Sequence, residues 1–198
     1  MTKKYGVILA DPPWRFENQS WRATMPEEQV VYERGTDKHY PSMSIDDICD
    51  LPIVDCAAEN SVLFLWATWP HIQASFDVIN AWGFEYRTIA WVWAKMNPSS
   101  MGFHMGLGYY TRSNTEPCLL AVRGSMVPTA KDVMALIVSP IRQHSRKPDE
   151  QYGKIARLYP NESCLELFAR RPHPGWDVWG NEVDSDIDMV MIDKRHET

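Results

Sequence analysis

The segment Tyr5–Trp14, with the sequence YGVILADPPW, decides the fold of this chain. Its first six residues form a short apolar run, which predicts a buried β-strand that stops at Asp11. Pro12 and Pro13 cannot continue a hydrogen-bonded ladder and force extended backbone before them, so we expect a rigid loop to follow the strand. Ligands of open α/β sheets bind just beyond the carboxyl ends of the strands. We therefore predict a functional site at Asp11.

The rest of the chain predicts strands that alternate with helices. Further strands are expected at 61–68, 88–94, 117–123, 163–169 and 177–180. Helices are expected at about 44–50, capped by Ser44, at 69–82, ended by Gly83, and at 148–159. The apolar stretch 133–138 fits either type. This alternation predicts an α/β fold with a mostly parallel sheet, and the adjacent strands near the end favour an antiparallel, hairpin-like part there.

Length and charge limit the possible functions. The chain has 198 residues, enough for one domain, and a formal net charge of −6. A general nucleic-acid coat protein would be basic, but an enzyme that touches nucleic acid locally needs only a basic patch. Two long loops are expected at 15–41 and 97–115. Basic residues near these loops and the predicted site could form such a phosphate-binding patch: Arg15, Arg22, Arg34, Lys38, Arg112, Arg142, Arg146 and Lys147.

Other site types find little support. The four cysteines lack the spacing of a zinc or redox motif, and the six histidines do not cluster, so no metal is expected. The glycines at 102, 106 and 108 do not have the spacing of a dinucleotide-binding loop. No stretch is long enough to span a membrane, and the first apolar run is too short for a signal peptide. We expect a protein of the reducing cytoplasm.

The sequence Asp11-Pro12-Pro13-Trp14 fits the chemistry of methylating an aromatic amine. The lone pair of such an amine is delocalised into the ring, so the nitrogen is a weak nucleophile until acceptors take its two hydrogens. A carboxylate and a rigidly held proline carbonyl are such acceptors, and Trp14 offers a face on which a base can stack. The reaction otherwise needs a methyl donor held in line with the nitrogen.

Three segments in the same order resemble a known family. The first is the tetrapeptide, and the second is residues 145–150 (SRKPDE), preceded by Arg142. The third is the carboxyl-terminal part, made of residues 164–171 (CLELFARR) and 175–182 (GWDVWGNE). Together with the strand at 61–68, they resemble the N6-adenine methyltransferases that include the catalytic subunit of the eukaryotic mRNA N6-methyladenosine writer. In size the chain is closer to the small bacterial and phage members. The resemblance extends from Val7 to about Val183.

The resemblance implies a Rossmann-like class I methyltransferase sheet with permuted motif order, the catalytic strand preceding the cofactor strand. It implies S-adenosyl-L-methionine as cofactor, a methyltransferase domain at 1–183 and an acidic tail at 184–198. The implied catalytic residues are Asp11, Pro12, Pro13 and Trp14. The implied cofactor-binding residues are Asp11, Lys147, Glu166, Phe168, Arg170, Arg171, Asn181 and Glu182. The implied substrate-binding residues are Tyr40, Trp93, Lys95, Arg112, Glu116 and Arg142.

This sequence departs from the family pattern in two ways. Only ten residues precede Asp11, so the contact that an upstream Asp makes with the donor's adenine in larger members must come from elsewhere in this chain or be missing. Two adjacent arginines, Arg170 and Arg171, stand where the family pattern has one, so the donor contact could fall to either.

The expected activity is methylation of adenine N6, with DNA as the substrate by analogy with the small members. Three alternatives remain open from the sequence: an RNA substrate, a protein-amine or small-molecule substrate, and a catalytically inactive nucleic-acid-binding partner subunit. The intact tetrapeptide and Asn181-Glu182 argue against the last. A homodimer is expected because one small domain offers limited surface to nucleic acid.

Overall fold

The computed structural model describes residues 3–15, 42–108, 110–142 and 146–189, and it contains one seven-stranded sheet. The strands are β1 (Tyr5–Ala10), β2 (Ala57–Trp66), β3 (Glu85–Met96), β4 (Thr115–Arg123), β5 (Leu136–Pro140), β6 (Cys164–Leu167) and β7 (Trp176–Trp179). Their order across the sheet is β5-β3-β4-β2-β1-β6-β7. The expected α/β class with a Rossmann-like sheet is confirmed, and the permuted order holds because β1 precedes its neighbour β6 in the chain.

Strand β1 lies deep in the sheet. It pairs in parallel with β2 on one side and with β6 on the other, and all six of its residues are buried. Both faces of the strand are covered, which explains why the sequence shows a continuous apolar run instead of alternation. The carboxyl ends of β1 and β6 meet where Ala10 lies beside Leu167, so residues that follow these two strands share one edge of the sheet.

The antiparallel part of the sheet is not where the sequence predicted it. Strands β6 and β7 are parallel, with Cys164 opposite Trp176 and Leu167 opposite Trp179, so the expectation of a hairpin-like end was wrong. The connection 168–175 leads back to the edge of the sheet where β6 begins, and β7 starts there beside Cys164. The strand that runs against its neighbours is β4, which is antiparallel to both β2 and β3.

Three α-helices flank the sheet in the described ranges: α1 (Ile45–Cys49), α2 (Ile72–Ala81) and α3 (Glu150–Leu158). Helix α1 has the predicted capping box between Ser44 and Asp47, and Gly83 follows α2 with φ of +76°. Buried residues of α1 and α2 pack on one face of the sheet, and Tyr152 and Ile155 of α3 pack on the other. The ambiguous stretch 133–138 enters strand β5.

The division at residue 183 stays a prediction, but the chain continues to contact the domain beyond it. The backbone N–H of Asp186 donates to the carbonyl of Val178 at 2.8 Å, and Ile187 and Met189 pack against the core. No helix among the described residues has the length and apolar character needed to cross a membrane.

Candidate active site

Asp11 and Lys147 form the centre of the site. Asp11 is the first residue after β1, and Lys147 lies in the loop that leads to α3. Lys147 Nζ is 2.9 Å from each carboxylate oxygen of Asp11. The Lys147 side chain is 8% exposed and also lies over the ring of Trp66, 5.5 Å from its centroid. The aliphatic part of this lysine is thus buried while its charge is held at the carboxyl end of β1.

The reversed direction of β4 brings a second carboxylate to the same edge of the sheet. Because β4 is antiparallel, its amino-terminal residue Glu116 lies beside the carboxyl end of β3. Glu116 is 3.7 Å from Lys147 Nζ and 3.1 Å from Lys95 Nζ. The four charged groups form a continuous chain from Lys95 through Glu116 and Lys147 to Asp11.

Burial and charge shift the acid–base properties of this chain. Burial raises the pKa of Asp11; Lys147 opposes that shift and Glu116 adds to it, and the net direction is upward. Burial lowers the pKa of Lys147, but the neighbouring Asp11 and Glu116 carboxylates outweigh burial and raise it overall. Lys147 therefore stays cationic, and Asp11 is a stronger proton acceptor than an exposed aspartate.

The loop after Asp11 is held by backbone hydrogen bonds. The carbonyl of Pro12 accepts from Trp14 N–H, and the carbonyl of Pro13 accepts from Met43 N–H, both at 2.9 Å. A carbonyl has two lone pairs, so each can still accept one hydrogen from a substrate.

Trp14 is more enclosed than a stacking platform would be. Its side chain is buried, its indole N–H donates to the carbonyl of Trp66 at 3.1 Å, and its ring stacks on His71 at 5.7 Å. His71 in turn contacts the carbonyl of Arg15 through Nε2 at 3.0 Å. These contacts give Trp14 a structural role in fixing the loop.

Glu166 occupies the end of β6, next to Asp11. The hydroxyl of Tyr152 donates to its carboxylate at 2.9 Å, and the ring of Tyr152 stacks on His173 with centroids 3.7 Å apart. Burial raises the pKa of Glu166 to about 7, with the Tyr152 hydrogen bond opposing and the Asp11 charge adding to that shift. The structure thus places a partly buried, ionisable acceptor beside β1.

The backbone after β6 has two unusual features. Phe168 has φ of +60°, a left-handed conformation that costs a residue with a side chain on the order of 1 kcal/mol, and its ring packs edge-on against Trp179. Gly180 lies so close to Ala169 that a Cβ there would be 2.2 Å from the Ala169 carbonyl oxygen. Strained backbone held by its surroundings is typical of ligand sites.

The two adjacent arginines face different partners. Arg170 Nε lies 3.8 Å from Glu182, and its charge also acts on Asp11 and Lys147. Arg171 contacts Asp149 instead. Asn181 and Glu182 follow β7 at the same edge and are exposed. Of the two arginines, Arg170 is the one whose charge reaches the Asp11 site.

The Asp149 carboxylate contacts three guanidinium groups. Arg142 lies 2.5 Å and Arg146 2.7 Å from its carboxylate, and Arg171 also contacts it. Burial raises the pKa of Asp149, but its contacts with Arg142, Arg171 and Arg146 outweigh burial and hold it below the usual range. Arg142, expected on the substrate side, is thus part of a defined cluster.

Two predicted substrate-binding residues, Trp93 and Arg112, do not join the Asp11 site. Trp93 is in the core, 2% exposed, and its indole N–H donates to the carbonyl of Ser139, so its ring faces are covered by protein. Its contact with the site is indirect, because Lys95 Nζ lies 5.1 Å from its ring centroid. Arg112 is exposed in the 97–114 connection, with no contact to Asp11 among the described residues. Tyr40 lies outside the described residues.

Sequence reasoning missed Tyr152 as the hydrogen-bond partner of Glu166, and Asp149 as the centre of an arginine cluster. Their signal is weak, since a tyrosine on the amphipathic helix α3 fits a core position equally well. Among the described residues, no group of three or more His, Cys, Asp or Glu side chains has the arrangement of a metal site.

The chain is similar in sequence to known proteins. The MT-A70 family model matches residues 5–182. The type II methyltransferase M.MunI from Mycoplasma sp is 35% identical over 200 residues, which cover 94% of this chain and 82% of that protein.

Eukaryotic relatives are similar over the same region. The N(6)-adenosine-methyltransferase catalytic subunit METTL3 of Homo sapiens is 29% identical over 201 residues, 97% of this chain and 31% of that protein. An N(6)-adenosine-methyltransferase MT-A70-like protein of Drosophila melanogaster is 31% identical over 186 residues. The chain spans less than a third of these longer relatives but most of M.MunI.

Proposed function

The chain belongs to the MT-A70 family, and on that premise we propose that it transfers a methyl group from S-adenosyl-L-methionine to the N6 amine of adenine in DNA. The observation that carries this proposal is the position of Asp11. Its carboxylate stands at the end of a buried central strand, held by Lys147, directly before two prolines whose carbonyls each keep one lone pair.

Asp11 and the proline carbonyls act on the target amine. A carboxylate oxygen of Asp11 and the carbonyl of Pro12 accept the two N6 hydrogens, which localises the nitrogen lone pair for attack. The raised pKa of Asp11 suits a group that receives the proton released when the N–C bond forms. Lys147 holds the carboxylate in place and stabilises its charge until then.

The residues at the ends of β1 and β6 fit the donor. When bound, S-adenosyl-L-methionine supplies an electrophilic methyl group on a sulfonium. The Glu166 carboxylate suits ribose hydroxyls, as acidic residues at neighbouring strand ends do in other doubly wound folds. The cationic side chains of Lys147 and Arg170 would bind the donor's carboxylate, and the Asp11 carboxylate would bind its ammonium group. Phe168, Gly180, Asn181 and Glu182 border this region and complete the proposed donor site.

The proportions of the chain favour DNA over RNA. The type II methyltransferase M.MunI is matched over 82% of its length, whereas METTL3 of Homo sapiens carries more than two thirds of its length outside the match. On this proposal, adenine enters the pocket from a flipped or single-stranded nucleotide. We also propose that two copies associate, which light scattering in solution would test.

The deciding experiment measures transfer of a radiolabelled methyl group to matched DNA and RNA pools, followed by digestion to nucleosides. Wild-type protein should yield N6-methyladenine in DNA, and Asp11→Ala should yield none. Asp55→Ala is a matched control, because Asp55 ends a short helical turn before β2, away from the site.

Each other outcome is informative. Methylated adenine in RNA alone would support the proposed reaction but contradict DNA as the substrate. Donor binding without product in either pool would overturn the proposal in favour of a protein or small-molecule substrate or an inactive partner subunit.

A further inference from the structure

The cluster of Arg142, Arg146 and Arg171 around Asp149, here called the arginine cluster, carries more positive charge than its carboxylate balances. Three guanidinium groups and one carboxylate leave a formal charge of 3 − 1 = +2. Like charges repel each other, by about 1 kcal/mol for a pair about 4 Å apart in water. Exposed ion pairs contribute about 0–1 kcal/mol, so folding stability alone does not account for three arginines on one acid.

The Asp149 side chain contacts the arginines and does not cap the helix that it begins. It is the N-cap residue of α3, but its side chain makes no capping hydrogen bond. A capping Asp ordinarily stabilises a helix by about 0.5–2 kcal/mol. Arg146 Nε is also buried and makes no hydrogen bond within the described residues. A buried donor without a partner costs about 1–3 kcal/mol, which is typical of a site that a ligand completes.

The arginine cluster lies at the rim of the site. Lys147 points inward with its side chain 8% exposed, while Arg146 and Asp149 on either side of it are 40% and 39% exposed. Since two residues of chain span at most about 7 Å, the cluster is next to the Lys147–Asp11 pair. An anion bound there would sit at the mouth of the site, above the buried chemistry.

We propose that the arginine cluster binds a backbone phosphate of the nucleic acid beside the target adenosine, with Asp149 as the positioning residue that aligns the three guanidiniums. This inference rests on the proposed function for the identity of the ligand. When a base enters a pocket its phosphates stay at the mouth, and guanidinium groups match phosphate oxygens bidentately. The donor's own carboxylate is the other source of such an oxyanion, but it belongs with the buried lysine.

The test measures binding without the donor, so that it does not depend on catalysis. Binding of a fluorescein-labelled oligodeoxynucleotide is followed by anisotropy between about 50 and 200 mM salt, for wild type, Arg146→Gln and Arg171→Gln. Each variant should bind about tenfold more weakly at the lower salt and show a salt slope shallower by about 0.7–0.9, as expected for one lost phosphate contact. Arg157→Gln is the matched control, since Arg157 is in α3 but pairs with Asp132 away from the cluster.

Affinity for S-adenosylhomocysteine, measured by calorimetry, separates the two oxyanion sources. Unchanged affinity in both arginine variants is expected. Lost affinity for S-adenosylhomocysteine with an unaltered DNA salt slope would assign the cluster to the donor carboxylate and overturn the proposal. Salt slopes equal to those of wild type and Arg157→Gln would overturn it as well.

Asp149→Asn tests the positioning role. This variant keeps all three cations, so DNA affinity and the salt slope should not fall, while kcat should fall about tenfold because the phosphate contact is misaligned. Unchanged kcat in a folded Asp149→Asn protein would remove Asp149 from the proposal. If the arginine variants have reduced salt slopes but the wild type transfers no methyl group, the phosphate site stands and the proposed function is overturned. If the wild type transfers methyl groups but the arginine variants have unchanged salt slopes, the proposed function stands and the phosphate site is overturned.

Discussion

Lys147 Nζ lies 2.9 Å from the carboxylate of Asp11, although 136 residues separate the two in sequence. This contact joins the end of the first strand to the loop before the last helix. It also means that the Asp11 carboxylate is paired with a cation in the folded protein. The charge of Lys147 is shared with Glu116, so any change at one member of this chain affects the other two.

Replacing Lys147 by Met should destabilise the protein by about 3–5 kcal/mol, because two largely buried carboxylates lose their cation. Urea denaturation measures the loss. In a double-mutant cycle, Glu116→Gln should cost less in the Lys147→Met background than alone, since it then removes a repelling charge. Equal costs in both backgrounds would show that Lys147 and Glu116 are not coupled.

Donor binding should depend on pH through Glu166. With its pKa raised to about 7, Glu166 is mostly protonated at about pH 6 and then accepts ribose hydroxyls poorly. Affinity for S-adenosylhomocysteine should fall about tenfold from about pH 8 to 6, following the ionised fraction. In Glu166→Gln the affinity should be lower and nearly flat with pH. A wild-type affinity that is flat over this range would contradict the assignment.

The same shift predicts how stability depends on pH. A folded-state pKa above the ordinary value of 4.5 means that the folded protein retains a proton that the unfolded chain releases. The Glu166 contribution to stability is therefore complete below about pH 4.5 and is lost as the pH rises to about 7. Thermal unfolding should show Glu166→Gln more stable than wild type at about pH 8, with the difference gone near pH 4.5.

Gly180→Ala should destabilise the site, since its Cβ would lie 2.2 Å from the Ala169 carbonyl oxygen. The loss should be about 1–3 kcal/mol, as for other strained insertions. Gly153→Ala is the matched control: Gly153 is exposed in α3, with nothing within 4 Å of an added Cβ, and should gain about 0.5–1 kcal/mol. Urea denaturation of both variants checks the contrast, and equal effects would refute it.

Trp14→Phe separates a structural role for Trp14 from a base-stacking role. Phe keeps an aromatic face but cannot donate to the Trp66 carbonyl, so stability should fall by about 1–3 kcal/mol. The companion variant Trp14→Leu also removes the aromatic face. Its KM for DNA should change less than about twofold, because Trp14 is buried against protein, whereas loss of a base stack would cost about 1–3 kcal/mol. A large rise in KM with unchanged stability would assign Trp14 to the base.

Local patterns predicted much of the fold. The apolar run before Asp11 ends in the structure at Ala10, and the Ser44 cap and Gly83 stop lie where expected, because each depends on neighbouring residues. The direction of β4 and the parallel pairing of β7 were not predicted, since pairing depends on contacts far apart in sequence.

For the site as well, the sequence predicted some residues, whereas contacts between distant segments were not predicted. Asp11, Lys147 and Glu166 were identified through motif resemblance, and the structure brings them to one edge of the sheet. The core position of Trp93 was missed, because on a buried strand the sequence does not show which face meets a ligand. The pairing of Asp149 with Arg171 joins the start of α3 to the segment after β6, and no local pattern encodes this contact.

The position of β1 between β2 and β6 has a consequence for how the protein is made. Strand β1 is synthesised long before β6, so its second neighbour is complete only when Leu167 has been made. Pairing across such a separation is slow because the intervening chain must first be ordered. The Asp11 site therefore cannot assemble before β6 has been synthesised, and the apolar strand β1 is not covered on both sides until then.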